Sequence, residues 1–361
     1  MTNMNNTTSN VSNLGQCDQP INELFAYACV YYTLHGYLSL AICCFGVPTN
    51  LVNIIILTRK SMRNPINNIL TGIAISDAIT MMSYIPFAIH FYIQHGLERT
   101  PAKYTFEWTW FLALHFNLSV TTHMISIWLG VCMSIVRYIY IKSMGIGKIN
   151  IDQAKSVILV VMVFLISILF CIPNYYITKV RITAGSDNVY MLENLRLGEK
   201  DMPWIEALAA WIFILMGKIG PCILITISGS LLLYTLHISQ ERTKALKGAR
   251  VEERMRTHRR TTIMLLAIIC MFIVAELPQS ILLLIGIFKE NFFKVEYALL
   301  ADTIDILALI NNATNFIMYC AMSRQFRDIL FEMTCKYLHN GEDASYSHVK
   351  AIQTKTSHVH V

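Results

Sequence analysis

Seven long apolar runs divide the chain, at 31–58, 65–94, 108–136, 156–178, 207–240, 261–288 and 297–323. Each is longer than the roughly 20 residues a helix needs to cross a hydrocarbon core, and polar segments separate them. A backbone surrounded by lipid must satisfy its own hydrogen bonds, so the runs predict helices rather than strands or irregular chain. The first, third and fourth contain no Asp, Glu, Lys or Arg. The others carry few charges: Asp77 in the second, Lys218 in the fifth, Glu276 in the sixth, and Asp302 with Asp305 in the seventh.

Composition agrees with lipid as solvent. Hydrophobic residues make up 55% of the 361 and charged residues 14%, against about 25% charged in an ordinary soluble domain. The expected architecture is an all-α, seven-transmembrane helix bundle at 31–323. It follows an N-terminal tail at 1–30 and precedes a short amphipathic eighth helix at 324–335 and a tail at 336–361.

Lys and Arg set the orientation. The first, third and fifth connections carry Arg59, Lys60 and Arg63; Arg137, Lys142, Lys148 and Lys155; and a basic block from Arg242 to Arg260. The intervening connections are poorer in base. Basic loops stay in the cytoplasm, so the N-terminus is expected outside the plasma membrane and the C-terminus inside. The tail 1–30 lacks Lys and Arg and has no apolar core, so it does not read as a cleavable signal. The sequons at Asn5, Asn6 and Asn10 lie on the outer side, where glycosylation is expected. The basic third inner loop sits beside a bilayer, which favours acidic headgroups or a protein partner over nucleic acid.

Seven of the ten cysteines fall inside runs, where a thiol fills space as a small apolar group. Only Cys17 and Cys29 face an oxidising side, and the sequence leaves open whether they are bridged.

Ionisable groups at membrane depth are costly and usually face the bundle interior with a partner or a function. On the third helix His115, Ser119, Thr122 and Ser126 recur at helical spacing on one face. Asp302 and Asp305 lie toward the outer end of the seventh, followed by Asn311, Asn312 and Asn315.

Taken in order, these landmarks resemble the rhodopsin-like family of G-protein-coupled receptors. Asn50 and Asp77 stand at the family's positions on helices one and two. Val136-Arg137-Tyr138 matches the acidic-Arg-Tyr triplet at its second and third places. Pro221, Phe272 and Pro278 mark helices five and six. Asn315-Phe316-Ile317-Met318-Tyr319 resembles Asn-Pro-x-x-Tyr with Phe for Pro, and Ser323-Arg324-Gln325-Phe326-Arg327 resembles the start of the inner-leaflet helix. There are departures. Neither cysteine of the usual outer-loop disulfide is present, helix four lacks its Trp, and Glu276 replaces the Trp of helix six. The segment Glu276-Leu277-Pro278-Gln279, with 53–59 and 322–327, resembles the invertebrate myosuppressin and FMRFamide-type neuropeptide receptors, a subgroup expanded in nematodes.

That resemblance implies a receptor rather than an enzyme, gated by a peptide ending in Arg-Phe-amide and coupled to a heterotrimeric G protein. It assigns Arg137, Tyr138, Phe272, Pro278 and Tyr319 to coupling and activation, with an outward shift of helix six. No cofactor is required. The family's allosteric sodium pocket maps onto Asp77, Ser126, Asn311 and Asn315, the alternative being a protonated Asp77. An Arg-Phe-amide needs a carboxylate, an aromatic slot and hydrogen-bond groups. The candidates are Asp305 first, then Asp302 and Glu107, with His115, Thr122, Glu276 and Gln279. Tyr84, Trp108, Trp110, Trp204 and Trp211 offer aromatic surface, although interface Trp residues are more often membrane anchors. For Glu276 three readings stand: a buried contact with Lys218 near His123, a ligand contact, or a neutral acid. Cys335 is a candidate palmitoylation site, and Ser345, Ser347, Thr354, Thr356 and Ser357 are candidate phosphorylation sites for arrestin. Two rivals remain open: a chemoreceptor of the same fold for a small molecule, and a small ion or proton transporter, which lacks the expected inverted repeat.

Overall fold

The structure is a computed structural model and describes residues 23–97, 100–143, 152–182, 189–193, 203–244, 249–289, 292 and 296–335. It is a seven-helix bundle. Helix α1 is Glu23–Leu57, α2 is Pro65–Phe87 with a π-helical extension Ala88–Gln94, α3 is Phe106–Ser143 and α4 is Gln153–Ile177. Helix α5 consists of Trp204–Ile214 and Gly220–Lys244 joined through a π turn, Leu215–Ile219. Helix α6 is Ala249–Phe288, α7 is Ala298–Met322, and a short helix α8 covers 324–335. Six of these are long and apolar enough to cross a membrane, and α6 supplies a shorter apolar stretch, Cys270–Gly286.

Several helices outrun the apolar runs. Helix α1 starts at Glu23, inside the segment expected to be tail, because Phe25, Ala28 and Cys29 find buried positions and Glu23 suits the positive end of the helix dipole. Helix α6 starts at Ala249, so part of the basic inner loop is helical. Hydropathy marks only the lipid-facing part of a helix, whereas the backbone continues while good helix formers such as Ala, Glu and Arg follow. The start of α2 is set locally. Asn64 Oδ1 accepts the Asn67 N–H at 2.8 Å, with Pro65 in the first turn, where its missing N–H costs nothing.

Helix α3 packs against α2, α4, α5, α6 and both strands of the outer hairpin. That hairpin pairs β1 (Lys179–Ile182) antiparallel with β2 (Tyr190–Glu193), in the register Lys179–Glu193 to Ile182–Tyr190. The family's disulfide is missing here. Instead the Tyr190 N–H donates to the Tyr104 carbonyl at 3.0 Å, and Tyr190 meets the Phe106 ring edge-on at 5.4 Å. Cys29 is disulfide-bonded, while Cys17 lies outside the described residues. The other eight described cysteines are free.

The tails 1–22 and 336–361, with their sequons and candidate phosphorylation sites, lie outside the described residues.

Candidate functional site

The midplane site begins with backbone geometry in α5. The Gly220 N–H reaches back five residues to the Leu215 carbonyl, which forms the π turn. Pro221 follows and has no N–H to give. The Met216 carbonyl therefore loses both backbone donors that could serve it, yet a buried carbonyl needs one. Trp128 of α3 supplies it, its indole N–H donating at 2.9 Å. A side chain at position 220 would put its Cβ 2.5 Å from the Leu215 oxygen, so only glycine fits. Such π turns often mark functional sites. This one carries Lys218, which is 2% exposed.

Lys218 Nζ has three protons and three polar neighbours within reach. It lies 2.8 Å from Glu276 Oε2, 2.7 Å from His123 Nε2 and 2.6 Å from Gln279 Oε1. Glu276 is also 2% exposed and lies 3.0 Å from His123 Nε2. That one ring nitrogen can accept from Lys218 or donate to Glu276, but not both in one form. The expected Lys218–Glu276 contact is thus present, with His123 in the same layer. The layer joins α3, α5 and α6. Gln279 extends it by donating from Nε2 to the Tyr297 hydroxyl at 2.9 Å, beside the start of α7.

Below this layer Asp77 is 2% exposed and accepts from Ser126 at 2.9 Å and from Asn315 at 3.0 Å. Asn311 is buried, but among the described residues no hydrogen bond joins it to Asp77. Both donors to Asp77 are neutral.

At the outer end Asp302 and Asp305 face an aromatic wall. The Tyr92 hydroxyl donates to Asp302 at 2.7 Å, and the Tyr84 hydroxyl lies 3.4 Å from Asp305 and 2.8 Å from His35 Nε2. The His35 ring stands 4.5 Å from that of Tyr92, which stacks on Tyr32 at 4.4 Å. Among the described residues no Lys, Arg or His nitrogen forms an ion pair with either carboxylate; the ion pairs there are Lys218 and His123 with Glu276, and Lys289 with Glu296.

The remaining candidates do not converge on these carboxylates. Glu107 is exposed on the first turn of α3. His115 meets Ser83 at 3.1 Å and stacks on Phe87 at 4.3 Å, while Thr122 bonds Thr80 at 2.6 Å. Both therefore serve the α2–α3 contact, which is how a polar stripe binds apolar helices together. Trp108 stacks on His90 at 3.6 Å. Trp110, Trp204 and Trp211 are half-exposed or more, as membrane anchors would be.

At the inner end Arg137 is buried with its guanidinium 5.7 Å from the Tyr140 ring centre. Tyr138 is half-buried, whereas Phe272 and Tyr319 are buried in one apolar cluster with Val136. Tyr319 packs on Phe326 of α8 at 5.4 Å, and Arg327 donates to the Cys320 and Ala321 carbonyls at the end of α7. Pro278 is exposed on α6, and Cys335 is exposed at the last residue of α8.

Sequence reasoning missed Tyr92, His35, Tyr297, Trp128 and Gly220. Only the last carried a local signal, since Gly-Pro inside an apolar run announces a break in regular helix.

With this geometry in hand the chain can be compared with known proteins. It is 30% identical over 344 residues to the G-protein coupled receptor dmsr-1 of Caenorhabditis elegans, covering 82% of this chain and 67% of that one. It is 25% identical over 359 residues to the sex peptide receptor of Drosophila melanogaster, covering 94% and 80%. Among solved structures it superposes on squid rhodopsin with a TM-score of 0.64 at 17% identity, over 86% of this chain and 87% of that one. The family model for the serpentine type 7TM GPCR chemoreceptor Srw matches residues 37–337. Seven apolar helices, a rhodopsin-like fold and this match agree: the chain belongs to the Srw family of seven-transmembrane G-protein-coupled receptors, and is a receptor rather than an enzyme.

Proposed function

We propose that the chain is a plasma-membrane receptor for amidated neuropeptides ending in Arg-Phe-amide, with its N-terminus outside and its C-terminus inside, coupled to a heterotrimeric G protein. The observation that carries this reading is the Asp302–Asp305 pair, two carboxylates held by tyrosine hydroxyls and not ion-paired among the described residues. A carboxylate charge set among apolar helices without a counter-charge is costly. A guanidinium offers paired N–H donors to a carboxylate and a flat face to the rings of Tyr84 and Tyr92. The motif resemblance to FMRFamide-type receptors points the same way.

Binding there shifts the bundle between two states, with α6 swinging about Pro278 to open a cavity at Arg137, Tyr138 and Tyr319 for the G protein. Asp77, Ser126 and Asn315 fit a sodium ion, because a buried carboxylate held only by neutral donors lacks a counter-charge; Asn311 would complete the set. The ion when bound supplies that charge and favours the resting bundle. Cys335, exposed at the end of α8, would carry an acyl group at the inner leaflet, and Ser345, Ser347, Thr354, Thr356 and Ser357 would recruit arrestin once phosphorylated.

Nucleotide exchange by a G protein with the full chain in lipid, challenged with a panel of amidated peptides, tests the reading. Responses confined to peptides ending in Arg-Phe-amide are expected. Responses only to small volatile or water-soluble molecules would assign a chemoreceptor instead, and ion current without exchange would assign a transporter.

A further inference from the structure

The half-buried Gln279 side chain spans a gap shaped for one chemical group. Its carbonyl oxygen accepts from Lys218 Nζ at 2.6 Å, and its NH2 donates to the Tyr297 hydroxyl at 2.9 Å. The assignment of oxygen and nitrogen is not arbitrary, since an ammonium has only donors and must face the oxygen. The protein has therefore filled a site consisting of one cationic donor and one hydroxyl acceptor with a primary carboxamide of its own. A peptide ending in –C(=O)NH2 carries the same group.

We propose that the niche between Lys218 and Tyr297 binds the C-terminal carboxamide of the ligand, which displaces the side-chain amide of Gln279. This rests on the peptide reading above and extends it from the guanidinium to the terminus. The ligand carbonyl accepts from Lys218 and its NH2 donates to Tyr297, so both groups of the niche keep a partner. The niche also selects against a free acid. Glu276 already lies 2.8 Å from the same Nζ, and a second carboxylate there would meet it in a medium of low dielectric. Displacement takes Gln279 off Lys218, the residue that holds α5 to α6, so occupancy of the niche loosens the layer from above.

The test uses the full chain in phosphatidylcholine nanodiscs with G protein, reading nucleotide exchange and thermal unfolding. The probes are Phe-Met-Arg-Phe-amide, its free acid, and the amide with norleucine for Arg. The amide should act at a half-maximal concentration about tenfold or more below the acid, equivalent to about 1.4 kcal/mol. Gln279→Ala removes the internal competitor and should lower the amide's half-maximal concentration several-fold, leaving the acid's unchanged. An ordinary ligand contact would move in the opposite direction. Tyr297→Phe, which keeps the ring, should raise the amide's value and spare the acid's; it carries the test alone if the Ala variant is not expressed. Equal potency of amide and acid, or a Gln279→Ala value that is unchanged or raised, overturns the niche. If potency still depends on Arg, the peptide reading survives that result. If neither exchange nor unfolding responds to any probe, the peptide reading fails and the niche with it.

Discussion

Lys218 and Glu276 come within 2.8 Å of each other at 2% exposure each, on helices α5 and α6, in the middle of a bundle surrounded by lipid. A charge pair this deep contributes little net stability, because desolvation offsets most of its Coulomb energy. It is nonetheless costly to break. The proposed activation moves α6 relative to α5, and here an ion pair spans the two.

Removing one partner should therefore destabilise the chain. Lys218→Met or Glu276→Leu alone is expected to cost about 3–5 kcal/mol, whereas the double substitution should return most of it. The exchanged pair, Lys218→Glu with Glu276→Lys, should also recover what either single change loses. Thermal unfolding in detergent and surface expression measure this; a double variant no better than the singles would remove the pair from the account.

Gly220→Ala should disrupt the π turn, because its Cβ would lie 2.5 Å from the Leu215 oxygen and backbone cannot yield as a flexible side chain can. Trp128→Phe leaves the Met216 carbonyl without its donor, a loss of about 1–3 kcal/mol. Both should lower the unfolding midpoint, and Gly220→Ala should also shift ligand potency, since Lys218 sits within the same turn.

Asp305→Asn and Asp302→Asn should each weaken a peptide ending in Arg-Phe-amide by about tenfold or more, in line with the loss of a charge-assisted bond. Neither should reduce surface expression, because each removes a carboxylate that has no ion-pair partner among the described residues. Radioligand binding with matched receptor numbers checks both statements. Glu107→Gln, on an exposed turn, should leave binding within about twofold.

Sodium should lower agonist affinity in wild-type membranes, and Asp77→Asn should abolish that effect. Competition binding in sodium and in N-methylglucamine buffers compares them; a sodium effect of equal size in the variant would exclude this carboxylate.

Arg137→Ala should eliminate agonist-driven nucleotide exchange at normal surface expression while preserving ligand binding. Unchanged exchange would remove Arg137 from the coupling surface.

Much of this was legible along the chain. Apolar run length predicted seven helices because lipid imposes one length on all of them. Asp77, Lys218 and Glu276 stood out because charge is rare at that depth. The partners were less legible. His115, Thr122 and Ser126 share a helical face and all three meet α2, at Ser83, Thr80 and Asp77; periodicity assigns the face but not the residue each one meets. Tyr92 and His35 look like ordinary residues of apolar helices until the packing of α1, α2 and α7 sets them beside Asp302 and Asp305.

The amino-acid order alone determined that the chain spans a membrane seven times and which few charges must turn inward, since solvation energy acts on each segment independently of the rest. Which inward groups meet was decided by the tertiary structure. One backbone hydrogen bond at Gly220, the missing N–H of Pro221 and an indole from another helix together present Lys218 to Glu276, His123 and Gln279. Hydrogen bonds act only over contact distance and in particular directions, so their partners are settled when helices far apart in sequence pack together.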